Sequence, residues 1–347
     1  MRIDSDRSGT AVTPAHALLR RRIFGAIVIG VVAGGLSALK AATNVAVTMD
    51  FEFFWRASQL FADGVNPYPL RPGDAGWPLP DAFFYPAPAL LVTWPFHLLV
   101  MPAAAGAFMG LGCGLLAWRL SADGLWRLWV LGTPSFVMAV AIGQWSPLIT
   151  FAALVPGAGF LLACKPTLGL ACFAYRPTWR AAAGVALVAA VSLWLLPAWP
   201  QQWLENVKLV VQHPAPLTVP LGWLLLAALL RWRQPEARLL LAMACVPQLL
   251  FFADQLPLGL VARTRREAVA LAISGVAAFT GWWSLVGPGE LYPDEAQPFV
   301  MAGFYLPALA IVLLRPNEGN LPDWIESRLG NFRRMAPGQR SGDDVAG

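Results

Sequence analysis

The feature that most constrains this chain is a succession of long apolar runs. The first extends from Phe24 to about Ala42, is broken only by Lys40 and follows directly on Arg20-Arg21-Arg22. About 20 apolar residues are what an α-helix needs to cross a hydrocarbon core of ~30 Å. Lipid then replaces much of a buried core, and backbone polar groups must be satisfied within the helices or by protein. Composition agrees: charged residues make up 13% of the 347 and the hydrophobic set 57%, against a usual charged fraction of about 25%. An ordinary water-soluble enzyme, a disordered chain, a collagen-like repeat and a disulfide-rich secreted fold are thereby excluded. Three arginines before the first run and no small-residue cleavage site after it predict a retained first helix with a cytoplasmic N-terminus.

Further candidate spans are 83–101, 103–118, 125–142, 146–163, 181–198, 217–231, 238–253, 267–286 and 299–314. The sequence therefore predicts an all-α polytopic membrane protein of about ten transmembrane or re-entrant segments. Its parts are a basic cytoplasmic segment (1–23), a membrane domain (24–314) and a cytoplasmic tail (315–347) that is partly disordered beyond an interfacial turn at Trp324. Thirty prolines, among them Pro86, Pro88, Pro95, Pro102, Pro134 and Pro147, predict broken helices. The basic residues sit at Arg20–Arg22, Arg231/Arg233/Arg238, Arg263/Arg265/Arg266 and the tail. That is the pattern of cytoplasmic loops, not a nucleic-acid stripe. Loop 45–82 carries Asp50, Glu52, Asp63, Asp74 and Asp81, and segment 287–297 carries Glu290, Asp294 and Glu295, so both are expected outside. Between 83 and 176 charge alone leaves the parity of crossings open. Cys113, Cys164, Cys172 and Cys245 form no CxxC pair and read as packing residues. Gly106 and Gly110, followed by Gly112 and Gly114, predict a small-residue packing face.

The stretch from Met49 to Leu70 is the most informative for chemistry. Phe51, Phe54, Trp55, Ser58 and Phe61 recur at helical spacing, while Glu52, Arg56, Gln59 and Asp63 take the other side. This predicts an amphipathic helix on the outer membrane surface with its aromatic residues in the headgroup layer, a Glu52–Arg56 pair at i,i+4 and an end at Gly64. Asp50 at its start reads as an N-cap.

The run Asp50-Phe51, Phe54-Trp55, Ala57, Leu60, Gly64 and Asn66-Pro67-Tyr68 resembles the first external loop of the polyprenol-phosphate-sugar-dependent glycosyltransferases of family 87, in the membrane-embedded GT-C class. Phe84-Tyr85-Pro86-Ala87-Pro88, Gly143-Gln144 and Lys165-Pro166 are similar to later pieces of the family, and the resemblance covers about residues 24–260. It implies a GT-C-like bundle in which Asp50 is the general base, taking the proton of an acceptor hydroxyl that attacks the anomeric carbon with inversion. The donor would be a polyprenyl-phosphate hexose, mannose being the best precedent, and the acceptor a lipid or glycan. One departure stands out: a late Asp-His-type pair is here Asp254-Gln255.

Lys165, Arg71 and Arg56 are the candidate cations for the leaving phosphate. Lys165 lies in an apolar run, where a lysine either faces a polar cavity or snorkels to the interface. Gln144 is read as a hydrogen-bonding partner of sugar or phosphate or as a plain helix-end residue, and His213 as an orienting group or an unremarkable loop histidine. Tyr85 and Asp254 complete the substrate-binding candidates. Most of the 16 tryptophans, Trp199 and Trp203 included, read as interface anchors. Neither cofactor nor metal is expected. The enzyme reading places the active site on the outer face of the cytoplasmic membrane. The alternatives are a transporter or flippase of a lipid-linked or small substrate and a catalytically inactive scaffold subunit.

Overall fold

The structure, a computed structural model, describes residues 14–43, 50–210, 213–286 and 293–318. Trp324 and the tail beyond 318, Glu290, residues 1–13 and residues 44–49 of the first loop lie outside the described residues. The helices are α1 (Pro14–Thr43), α2 (Asp50–Ala62), α3 (Ala87–Thr93), α4 (Met101–Leu120), α5 (Pro134–Ile142), α6 (Ser146–Leu154) and α7 (Pro166–Tyr175). They continue as α8 (Trp179–Leu195), α9 (Trp199–Val210), α10 (Pro235–Cys245), α11 (Arg265–Val286), α12 (Pro293–Val300) and α13 (Leu306–Leu313). Tightly wound 3₁₀ segments fill several connections, and no strand occurs among the described residues.

Among the described residues four helices are long and apolar enough to cross a membrane: His16–Thr43, Met101–Asp123, Arg265–Leu285 and Glu295–Leu313. Two bent pairs raise the number to six if each is one span: Leu125–Gly132 with α5, at 63°, and α8 with Trp199–Leu209, at 97°. The protein is a helical membrane protein with four to six such spans among the described residues; the expected ten counted re-entrant segments as well. Proline makes much of the difference, because it has no N–H for the preceding turn and so opens helices instead of continuing them. The expected span 83–101 is broken into α3 and a 3₁₀ turn, each with a proline in its first two positions. The expected span 146–163 is two arms, α6 and Pro156–Cys164, parted at Val155.

α1 and α4 run antiparallel along a glycine seam. A Cβ on Gly30 would stand 2.8 Å from the Gly110 carbonyl oxygen, and one on Gly34 2.6 Å from that of Gly106. Only glycine permits this approach. At one end of the seam Arg22 donates to Ser121 Oγ and to the Trp118 carbonyl, both at 3.3 Å, with its guanidinium 4.3 Å from the Trp118 ring centre. Arg22 and Arg119 therefore lie at the same end, and α4 is the one helix within 83–118 long enough to cross.

Beside this pair the chain forms three short hairpins. Their arms are α5 and α6, Pro156–Cys164 and α7, and α10 and Phe252–Val261, of 9 to 11 residues each. At helical rises of 1.5–2.0 Å such arms reach roughly 14–20 Å, well short of the ~30 Å core. Arginines at the basic end cap the carbonyls that three of the arms leave unpaired. Arg119 donates to Leu154 O at 3.4 Å, Arg238 to Ala174 O at 3.0 Å and Arg315 to Val261 O at 2.9 Å. Exposed Arg263 completes this end by holding buried Glu236 in a two-point pair at 2.8 and 2.5 Å.

α2 begins and ends close to where the sequence put it, but protein covers much of the aromatic face expected in the headgroup layer. Phe51, Phe54 and Ala57 are wholly buried in protein, with Phe54 packed edge-on against Tyr85 at 5.1 Å and tilted against Trp145 at 5.4 Å. Periodicity reports one apolar face and does not say whether lipid or protein covers it. Arg56 does not pair with Glu52; it reaches Gly76 O at 2.8 Å and Gln59 Oε1 at 2.9 Å.

Candidate functional site

The turns of the three hairpins meet. Gly143, with φ of +69°, ends α5 in the left-handed conformation that glycine adopts without strain. It turns Gln144 toward the N-terminus of α2. Lys165 is the single residue between Pro156–Cys164 and α7, and Asp254 sits in the first turn of Phe252–Val261. Asp50 opens α2, and Tyr85 comes from the irregular stretch before α3. Five of the seven candidate residues thus come into one hydrogen-bonded chain.

The Lys165 ammonium donates to Asp254 Oδ1 at 2.7 Å, to Asp254 Oδ2 at 2.8 Å and to Gln144 Oε1 at 2.9 Å. Its three N–H groups are therefore all engaged. That settles the question of snorkelling, since the side chain turns inward to a polar cluster. Because Gln144 Oε1 accepts from Lys165, its Nε2 is the donor to Asp50 Oδ2. The Tyr85 hydroxyl donates to the same oxygen at 3.0 Å. Asp50 Oδ1 has no hydrogen-bond partner among the described residues and is open to accept a proton. Burial is the largest influence on this carboxyl and, with the nearby Asp254 charge, outweighs Lys165, Tyr85 and Gln144, pushing it from 3.8 to about 6. Burial and the two carboxylates hold the Tyr85 hydroxyl well above the usual phenol value, so it remains a donor.

These groups line a cleft of about 350 Å³ whose walls also include Asp81, Phe84, Trp203, Gln248 and His213. His213 is thus at the site, on the stretch that follows α9. Arg71 is not among the lining residues: its guanidinium spans Tyr68 O at 3.1 Å and Asn206 Oδ1 at 3.0 Å, fastening the loop after α2 to α9. Asp81, Trp203 and Gln248 escaped the sequence reading. Trp203 reads as an interface anchor, yet its indole N–H is fixed on Phe84 O at 2.8 Å. The available signal was its place one turn after Trp199 on a helix that also carries Gln202 and Asn206, polar residues with loop partners. A second cavity, of about 460 Å³ and apolar, shares Pro86 and Pro166 with the cleft and runs along α7 and α8 to Trp199. No group of three or more His, Cys, Asp or Glu side chains suited to a metal occurs among the described residues. The chain matches no family model, no curated protein and no solved structure.

Proposed function

We propose that the protein is a membrane glycosyltransferase that moves a hexose, mannose being the first candidate, from a polyprenyl-phosphate donor to a lipid or glycan acceptor on the outer face of the cytoplasmic membrane. The observation that carries this reading is Asp50: one carboxylate oxygen is held by Tyr85 and Gln144, the other has no hydrogen-bond partner among the described residues, and the cleft adjoins an apolar cavity. A carboxyl near 6 is ionised at neutral pH yet basic enough to take a hydroxyl proton in the transition state. In the proposed step the acceptor O–H proton passes to Asp50 Oδ1 as the oxygen bonds to the anomeric carbon. The bond from that carbon to the phosphate oxygen breaks, and its electron pair leaves with the lipid phosphate. Lys165 supplies positive charge to that phosphate by exchanging a bond to Asp254 or Gln144 for one to the leaving oxygen. The adjoining apolar cavity suits the first isoprene units of such a donor.

One observation favours a second reading. Lys165, Gln144 and Asp254 sit at the turns of half-length hairpins, as substrate sites do in transporters built on broken helices. Membranes given radiolabelled polyprenyl-phosphate mannose separate the two readings. Incorporation of label that Asp50→Asn abolishes supports the transferase, whereas movement of label without incorporation supports the transporter and overturns the enzyme.

A further inference from the structure

The largest cavity among those described is remote from this cleft. It is a groove of about 800 Å³ along the outside of the α1–α4 pair, and none of its lining residues carries a charged or hydroxyl side chain. Glycines of both helices make its floor, and Ile27, Val31, Leu111 and Leu115 form its sides. From Ile23 to Ala38 it follows 16 residues of α1, or roughly 22 Å at 1.5 Å per residue, more than the ~15 Å of one leaflet. A flexible chain can lie in it along its length.

The ends of the groove differ. Trp118 closes one of them, and Arg22 stacks on that ring. Arg20 lies three residues before Ile23 and seven before Ile27, on the stripe that lines the groove. Arg20 and Arg21 are exposed and have no ion-pair or hydrogen-bond partner among the described residues. Among the described residues, the acid near this end, Asp123, is already paired with Arg119 and Arg127. An apolar channel thus opens onto uncompensated cationic groups, the arrangement that holds an anionic lipid headgroup at a membrane surface.

We propose that this groove binds an anionic phospholipid, with one acyl chain along the glycine floor and the phosphate at Arg20 and Arg22. By the positive-inside rule the lipid comes from the cytoplasmic leaflet. The site is independent of the cleft and of any reaction there.

Gly35 provides a clean test, because it lines the groove while a Cβ built on it meets nothing within 4 Å. Gly35→Leu therefore fills the groove and leaves the helix seam intact. The full-length protein in detergent is incubated with phosphatidylglycerol or with phosphatidylcholine of the same chains, and bound lipid is counted by native mass spectrometry. Phosphatidylglycerol is expected to be retained in preference, by about fivefold for each arginine it contacts. Arg20→Gln lowers that retention about fivefold, and Gly35→Leu lowers retention of both lipids. Equal retention of the two lipids by the unaltered protein overturns the proposal, as does full retention of phosphatidylglycerol by Gly35→Leu. A dimer that Gly35→Leu disperses also overturns it, giving the groove to a second copy of the chain.

Discussion

α1 with α4 and the three short hairpins solve the same problem in opposite ways. A long helix satisfies its own backbone and leaves its sides to lipid, so α1 exposes Phe24, Ile27, Val31 and Leu36 and touches protein mainly through glycine. A hairpin of half-length arms cannot do this. Its ends fall inside the protein, where unpaired carbonyls and turn residues must find partners. At the basic end these partners are Arg119, Arg238 and Arg315; at the other they are Asp50, Tyr85, Gln144, Lys165 and Asp254 bonded to one another. A polar cluster can therefore exist here because the helices stop short. It is costly to disturb, whereas change on the exposed side of α1, at Phe24, Ile27, Val31 and Leu36, should cost little.

The largest effect is expected from Asp50→Asn. Loss of the base should lower transfer by about 10²–10⁴-fold with insertion and thermal stability retained, because the carboxyl is raised to about 6 and Asn removes a charge that burial disfavours. A large drop in melting temperature would instead make Asp50 structural. Lys165→Met comes next: removing one partner of a buried pair costs about 3–5 kcal/mol. Adding Asp254→Leu should recover part of that loss in thermal unfolding of the purified protein. No recovery would mean that the pair is not the unit described here. Along the seam, Gly34→Leu should cost about 1–3 kcal/mol through overpacking, while Gly35→Leu, one residue away, leaves the melting temperature unchanged. Equal effects at the two positions would erase the distinction between seam and lipid face.

The smallest expected effect is in pH dependence. A base near 6 makes activity rise as pH increases through that value and level off above it. The hydrogen bond from Tyr85 lowers the Asp50 value, so Tyr85→Phe should move the midpoint upward. A pH–rate profile of isolated membranes reads both, and an unmoved midpoint would remove Tyr85 from the control of the carboxyl.

Much of the candidate site was legible from single residues. An Asp at the head of an aromatic helix, a Lys in an apolar run and an acid at Phe251–Gln255 are conspicuous in a chain with 13% charged residues. All three meet in one cluster, joined by Gln144 and Tyr85. Arg71 was equally conspicuous and is spent on Tyr68 O and Asn206. Nothing local to a loop arginine tells a carbonyl partner from a phosphate. Trp203 was misread for a related reason: an indole at the end of a span looks the same whether its N–H meets headgroups or Phe84 O.

The sequence by itself determined that the chain is helical and membrane-embedded, which residues are anomalous in that setting, and that 103–118 carries a small-residue packing face. Each of these follows from composition, period or residue size, which are local quantities. Only the tertiary structure decided that 146–163 and 238–253 are turns of short arms instead of crossings, that the aromatic face of α2 meets protein, and that Gln144, Lys165 and Asp254 converge on Asp50. The physical reason is that apolar side chains satisfy a lipid and a protein neighbour equally well. Whether a short helix continues or turns back is then set by what pairs with the backbone groups at its ends.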